Sequence, residues 1–312
     1  MEFNALTLFI ALSIGAFSNL TGKQVAERCP EIPRPLWWIG ILIPYGVVHF
    51  LMLKEPAFAR MVGLCTTLLL AMKTITYMEW LKTGGKPMPM LRWFLFSFLW
   101  FGMQPKAWVG KRRKIEWLSH LKAGLLAIAL GALGFSAYLA SKLQYFPLSF
   151  IFMSMMFHYG VLRLNTTLWR AAGFPVRILF RNPLVTTGFK DFWGARWNLA
   201  YSQMMARTVQ KPLDQKLSKK GAIFTVFLVS GFFHELAISV PVQQGYGLPF
   251  LFFLFHGIAV LLEKRPHRLI GLLCLLTLIL GLPILFPIDF VSEIIEPVEK
   301  LWKTTFPYYC QP

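Results

Sequence analysis

The sequence predicts an all-α, polytopic membrane protein of about nine transmembrane helices. Three observations predict it. Hydrophobic residues fill 56% of the 312 positions and charged residues only 15%. Mean hydropathy is +0.54. Apolar runs able to approach or cross a hydrocarbon core of roughly 30 Å, at about 20 residues per crossing, recur along the whole length.

Taken in order, the runs fall at about 3–20, 36–53, 61–81, 91–104, 123–141, 148–165, 221–241, 249–263 and 269–287. The fourth and eighth are short and suit tilted or re-entrant elements. The first does not read as a secretory signal, because Met1, Glu2, Phe3 and Asn4 carry no positive charge and no small-residue cleavage site follows, so it is expected to be retained. Cys29, Cys65, Cys274 and Cys310 have neither C-x-x-C nor metal-ligand spacing. They predict no disulfide framework and no metal site.

A formal net charge of +18 raises the question of nucleic acid. Its placement answers it. Residues 166–220 hold ten Lys or Arg against Asp191 and Asp214, and residues 106–122 hold six against Glu116. Both stretches connect membrane segments, so the excess reads as the positive-inside bias of cytoplasmic loops and predicts no nucleic-acid partner. With both loops inside, nine crossings put the N-terminus inside and the acidic stretch Asp289, Glu293, Glu296 and Glu299 outside. The membrane follows from the host cell: endoplasmic reticulum in a eukaryote, inner membrane in a bacterium.

No internal repeat or low-complexity tract divides the chain, which predicts one membrane-embedded domain over 1–312. One connection is exceptional. The stretch 166–220 is far longer than a median loop, and long ordered loops are usually functional. Within it the pattern predicts a helix from Asp191 to about Val209, with Asp191 as N-cap after Gly188. Helical spacing places Trp193, Trp197 and Tyr201 on one stripe, as a helix lying in the membrane interface requires.

The chemistry concentrates at Ser230-Gly-Phe-Phe-His-Glu235. From Ala222 to Gln243 the only ionisable residues are His234 and Glu235. His234 falls roughly 18 Å along its helix, near mid-membrane, where ionisable groups are costly and mark function by default. Its side chain leans back over Ser230 and Gly231, whose small size predicts a void beside the ring, flanked by Phe232 and Phe233. Burial favours the neutral imidazole, which suits a general base acting on an apolar substrate. Glu235 lies about 100° around the helix and is read as structural, either paired with a basic group or protonated.

The other histidines, His49, His120, His158, His256 and His267, read as solvated or inter-helix hydrogen-bonding residues. No H-x-x-x-H spacing and no G-x-S-x-G elbow occurs, which argues against di-iron, zinc and serine-hydrolase chemistry. Ser230 precedes His234 by one turn but has no evident orienting acid, so it is not read as a nucleophile.

Lys190-Asp-Phe-Trp-Gly-Ala-Arg-Trp-Asn198, followed by Ser230 to Glu235, resembles the two signature blocks of the membrane-bound O-acyltransferase superfamily, on its wax synthase branch. The resemblance covers about 145–265, and Ala195 stands where the family's usual block has a basic residue. It implies transfer of a fatty acyl group from acyl-CoA to the hydroxyl of a lipophilic alcohol, with His234 as general base and Asn198 as its partner. The thioester is already activated, so no cofactor beyond the acyl-CoA co-substrate is required. Arg196, Lys190, Arg177 and Arg181 are placed to meet CoA phosphates. Trp193 and Trp197 either stack on adenine or anchor at the interface, and Ser230, Gly231 and Phe233 line the acyl or alcohol site. An anionic head at the surface and a buried acyl chain predict a central tunnel bordered by interfacial helices, with the alcohol entering from membrane lipid.

Other acceptors, a sterol, diacylglycerol or a secondary metabolite, or a short acetyl donor, fit the same chemistry. From other classes, a transporter using His234 and Glu235 as a proton relay lacks the expected paired repeats. A non-catalytic scaffold leaves the mid-membrane pair unexplained.

Overall fold

The computed structural model describes residues 3–141, 143 and 145–307; Met1, Glu2 and Cys310 lie outside the described residues. All regular structure among them is helical. The principal helices are α1 (Ala5–Arg28), α2 (Arg34–Leu51), α3 (Ala57–Lys82), α4 (Met90–Phe98), α5 (Leu118–Ala140), α6 (Phe146–Ala171), α7 (Leu199–Met205), α8 (Lys219–Val242), α9 (Leu248–Leu262), α10 (Arg268–Leu285) and α11 (Glu296–Thr305).

Six of these, α1, α3, α5, α6, α8 and α10, are long and apolar enough to cross a membrane. The other three expected crossings differ from this group. α2 has 18 residues with Pro44 inside it, α9 has 15, and α4 has only 9. The run at 91–104 is therefore not a continuous helix. Its helix stops at Phe98, where Lys73 of α3 draws off the backbone acceptors: Nζ donates to the carbonyls of Phe96 (2.7 Å), Trp100 (2.5 Å) and Gly102 (2.6 Å). A hydropathy pattern carries no trace of that long-range capture.

The chain folds as two compact units, residues 1–110 with 203–257 and residues 111–202 with 258–312. In the first, α1 lies along α3. Lipid is as apolar as leucine, so helices associate there through close packing and hydrogen bonds rather than hydrophobicity. Gly15 and Gly22 of α1 supply the closeness: a Cβ at Gly22 would stand 2.5 Å from the Thr74 methyl. Between them the buried Asn19 donates through Nδ2 to the Leu70 carbonyl at 2.8 Å.

In the second unit α5 packs on α6 by the same device, with Gly131 against Met156 and Gly160 against Ile128. α11 joins this pair through Trp302, whose indole N–H donates to Ser136 Oγ at 3.0 Å. The loop before the first signature block docks near the start of α10. There the His267 N–H donates to the Thr187 carbonyl at 2.8 Å, and a Cβ at Gly271 would stand 2.0 Å from the Thr186 carbonyl oxygen.

Candidate active site

In the first unit, α8 starts at Ser218, whose hydroxyl accepts from the Gly221 N–H at 3.1 Å. Its apolar run carries it to His234, after which one wide turn (Glu235–Ser239) interrupts the α-helical spacing. Such π-turns recur at functional positions because they redirect side chains without breaking the helix.

His234 Nδ1 lies 2.7 Å from the Ser230 carbonyl oxygen. A carbonyl only accepts, so in the neutral ring Nδ1 bears the proton and Nε2 keeps the lone pair. The ring rests on Phe253 of α9, 4.0 Å between centroids and tilted by 35°. Ser230 is buried and its hydroxyl donates to the Val226 carbonyl at 2.7 Å, so it is spent on its own helix. Phe233 is buried against Trp38 of α2, with centroids 5.8 Å apart.

The expected void over Gly231 is occupied. A Cβ there would meet Phe250 Cα at 3.1 Å and its carbonyl oxygen at 3.2 Å. Gly231 serves the close approach of α8 and α9 at this point. Glu235, expected to seek a basic group or a proton, instead accepts two backbone N–H groups through Oε1, from Gly247 at 3.0 Å and Phe250 at 2.8 Å.

In the second unit, the predicted helix from Asp191 to Val209 is broken in two. A short helical turn begins after Gly188, a wide turn spans Phe192–Arg196, and Trp197 is extended. Asn198 follows with φ 40°, a left-handed conformation that asparagine tolerates better than most residues. The break is held by pairing with an upstream strand-like stretch: Arg181 N–H to Arg196 carbonyl and Leu199 N–H to Leu179 carbonyl, both 2.8 Å. Trp193, Trp197 and Tyr201 therefore do not form one helical stripe.

Asn198 caps α7. Its Oδ1 accepts from the Tyr201 N–H at 3.2 Å and its carbonyl from the Ser202 N–H at 3.0 Å. With Oδ1 so fixed, Nδ2 is the amide's donor. Trp197 stacks on Phe192 (5.5 Å, 16°) and meets Phe180 (5.0 Å) and His158 (5.2 Å). Trp193 lies edge-on to Phe192.

Asp191 is not the N-cap; Gly188 is. The Asp191 carboxylate accepts from the Thr187 N–H at 3.0 Å and from Arg196 Nε at 2.6 Å. Partial burial pushes this carboxyl up, but the bonds from Arg196 and Thr187 outweigh it and hold the group below the usual aspartate range. Arg196 also donates to the Asn182 carbonyl at 3.1 Å, so it buttresses the block from within. Arg177 and Arg181 are exposed.

Against this geometry the comparisons with known proteins are specific. Residues 176–255 match the model of the membrane bound O-acyl transferase family. The match covers the two signature blocks and is a similarity of that stretch to the family. A probable long-chain-alcohol O-fatty-acyltransferase 7 of Arabidopsis thaliana is 24% identical over 56% of this chain and 55% of its own. The long-chain-alcohol O-fatty-acyltransferase of Simmondsia chinensis is 30% identical over 30% of this chain and 29% of its own. Acyl-CoA–sterol O-acyltransferase 1 of Arabidopsis thaliana is 41% identical over 18% of this chain and 19% of its own. The matches thus span about half of these relatives or less.

The O-acyl transferase match contains every candidate residue named above, from Trp193 to Glu235, together with Phe250 and Phe253. Two contributors lie outside it and escaped the sequence reading. Glu263 accepts the Lys190 N–H at 3.1 Å, while the Lys190 ammonium donates to the Glu263 carbonyl, so the head of the first block is clamped from both directions. His158 sits on a wide turn of α6 with Nδ1 2.8 Å from Ser154 Oγ and its ring on Phe180 and Trp197. A mid-helix histidine was visible in the sequence; its proximity to Trp197 was not.

Proposed function

We propose that this chain is an acyl-CoA-dependent O-acyltransferase that esterifies a lipophilic alcohol, with a long-chain alcohol as acceptor and a wax ester as product. The observation that carries the reading is the His234 Nδ1 bond to the Ser230 carbonyl, because it leaves Nε2 as the basic nitrogen. The family-model match over 176–255 and the long-chain-alcohol relatives support the reaction class.

In the mechanism, Nε2 of His234 takes the hydroxyl proton as the alcohol oxygen attacks the thioester carbonyl carbon. The carbonyl oxygen gathers negative charge, and Asn198 Nδ2 donates to it or to the acyl donor. The C–S bond then breaks, and the imidazolium returns the proton to the departing CoA thiolate. Arg177 and Arg181, exposed on the basic loop, meet the CoA phosphates; Arg196, already committed to Asp191, holds the block in shape. Trp193 and Trp197 are proposed to flank the donor, and the alcohol to arrive from lipid. A sterol is the second acceptor to weigh, favoured by the sterol acyltransferase relative.

The test supplies purified protein with labelled palmitoyl-CoA and a panel of long-chain alcohols, a sterol and diacylglycerol. Wild type is expected to form wax ester, and His234→Ala and Asn198→Ala to insert and purify but form none. Undiminished product from His234→Ala would remove the mechanism.

A further inference from the structure

Glu235 follows His234 directly, yet the two side chains grip different parts of α9. The Glu235 carboxylate closes the N-terminus of α9 by accepting from Gly247 N–H (3.0 Å) and Phe250 N–H (2.8 Å). A carboxylate at that end satisfies orphan backbone donors and meets the positive end of the helix dipole. One turn further along the same helix, Phe253 lies under the imidazole at 4.0 Å. Gly231 admits the Phe250 backbone between these two contacts.

The connection that delivers α9 needs such a tie. Gln243, Gly245 and Gly247 all have left-handed φ (61°, 71° and 88°) within five residues. Side-chain bonds across it include Ser239 Oγ to the Gly245 carbonyl at 3.3 Å and the two made by Glu235. Glycine adopts this conformation freely, so the two glycines leave the turn loosely defined, and at Gln243 the left-handed backbone persists only where its surroundings over-determine it.

We infer that Glu235 is a positioning residue for His234: by fixing the start of α9 it keeps Phe253 against the imidazole, and so keeps Nδ1 on the Ser230 carbonyl and Nε2 as the base. The inference rests on the proposed role of His234, and it makes the acidic member of the pair a part of the active-site frame rather than a proton carrier. Its two bonds require an acceptor, not a charge. Glutamine can therefore replace glutamate, since Oε2 makes no hydrogen bond among the described residues and an amide nitrogen there breaks none.

The experiment compares wild type, Glu235→Gln and Glu235→Ala by kinetics with palmitoyl-CoA and a long-chain alcohol, and by nitrogen NMR of histidine-labelled protein, with the His234 signals assigned from a His234→Asn spectrum. Glu235→Ala is expected to lower kcat about 10- to 100-fold with little change in KM, as a misplacement near 1 Å does, and to lose the Nδ1–H signature of His234. Glu235→Gln is expected to keep both. Should the alanine variant not purify, Glu235→Asp, whose carboxylate falls one methylene short, takes its place. An unchanged His234 signature in the alanine or aspartate variant overturns the inference whatever the turnover, and so does a glutamine variant as impaired as alanine. Wild-type protein inactive on every alcohol defeats the proposed function instead, and the signatures alone then decide the role of Glu235.

Discussion

His234 Nδ1 donates to the Ser230 carbonyl at 2.7 Å, and this single bond decides which face of the imidazole can do chemistry. It follows that a residue able to keep the bond but not the base separates the two roles. His234→Asn retains an amide donor near the Nδ1 position and has nothing at Nε2. Its ester formation is expected to fall by about 10²- to 10⁴-fold, the usual contribution of a general base. Its thermal midpoint in detergent should stay close to wild type, measured beside the activity; a variant that loses both together assigns the histidine to folding.

Asn198 caps α7 and is proposed to donate to the reacting carbonyl, and substitutions distinguish the two roles. Asn198→Asp keeps an oxygen for the Tyr201 N–H, so the cap of α7 survives while the amide donor is lost. Turnover should drop by about 10²- to 10³-fold, the cost of one oxyanion donor, with little loss of stability. Asn198→Ala removes the cap as well, at about 0.5–2 kcal/mol, and strains a left-handed position. Activity and unfolding midpoints for the two variants check this; equal stability losses would contradict it.

What the sequence disclosed and what it withheld divide along one line. Six of the expected spans are there because hydropathy is a local property, and the signature blocks were readable because their residues are contiguous. The failures are all long-range. Residues 191–209 have helical spacing, but the backbones of Leu179 and Arg181 pair with Leu199 and Arg196 and hold the break at Asn198. Glu235 finds backbone N–H groups twelve and fifteen residues away, and backbone donors leave no mark in a sequence. Gly231 was legible as small, but whether the space would stay empty depended on Phe250.

The Asp191–Arg196 pair sets a pH dependence of stability. The folded carboxyl sits below its usual range, so it contributes stability above the unfolded pKa of about 3.9, and that contribution disappears as pH falls through the lower folded value. Asp191→Asn is therefore expected to unfold at a lower temperature than wild type at about pH 7, with the gap closing towards about pH 3. Thermal unfolding across that range measures it. A gap that stays constant with pH would mean the pair is held by shape alone.

Lys73 is fully buried in the first unit, its ammonium 4.1 Å from the Phe96 ring centroid and its three protons given to the Phe96, Trp100 and Gly102 carbonyls. An intramembrane cation of this kind is costly unless every donor is met, and here all three are. Removing it leaves three buried carbonyls to find other partners, at about 1–3 kcal/mol each. Lys73→Met, similar in length and apolar, is expected to destabilise the protein by about 3 kcal/mol or more on that basis. Lys73→Arg is not expected to rescue it, because a planar guanidinium cannot direct three donors at acceptors converging on one point. Thermal unfolding of the detergent-solubilised variants checks both, and a methionine variant as stable as wild type would show that the end of α4 at Phe98 does not depend on this ammonium.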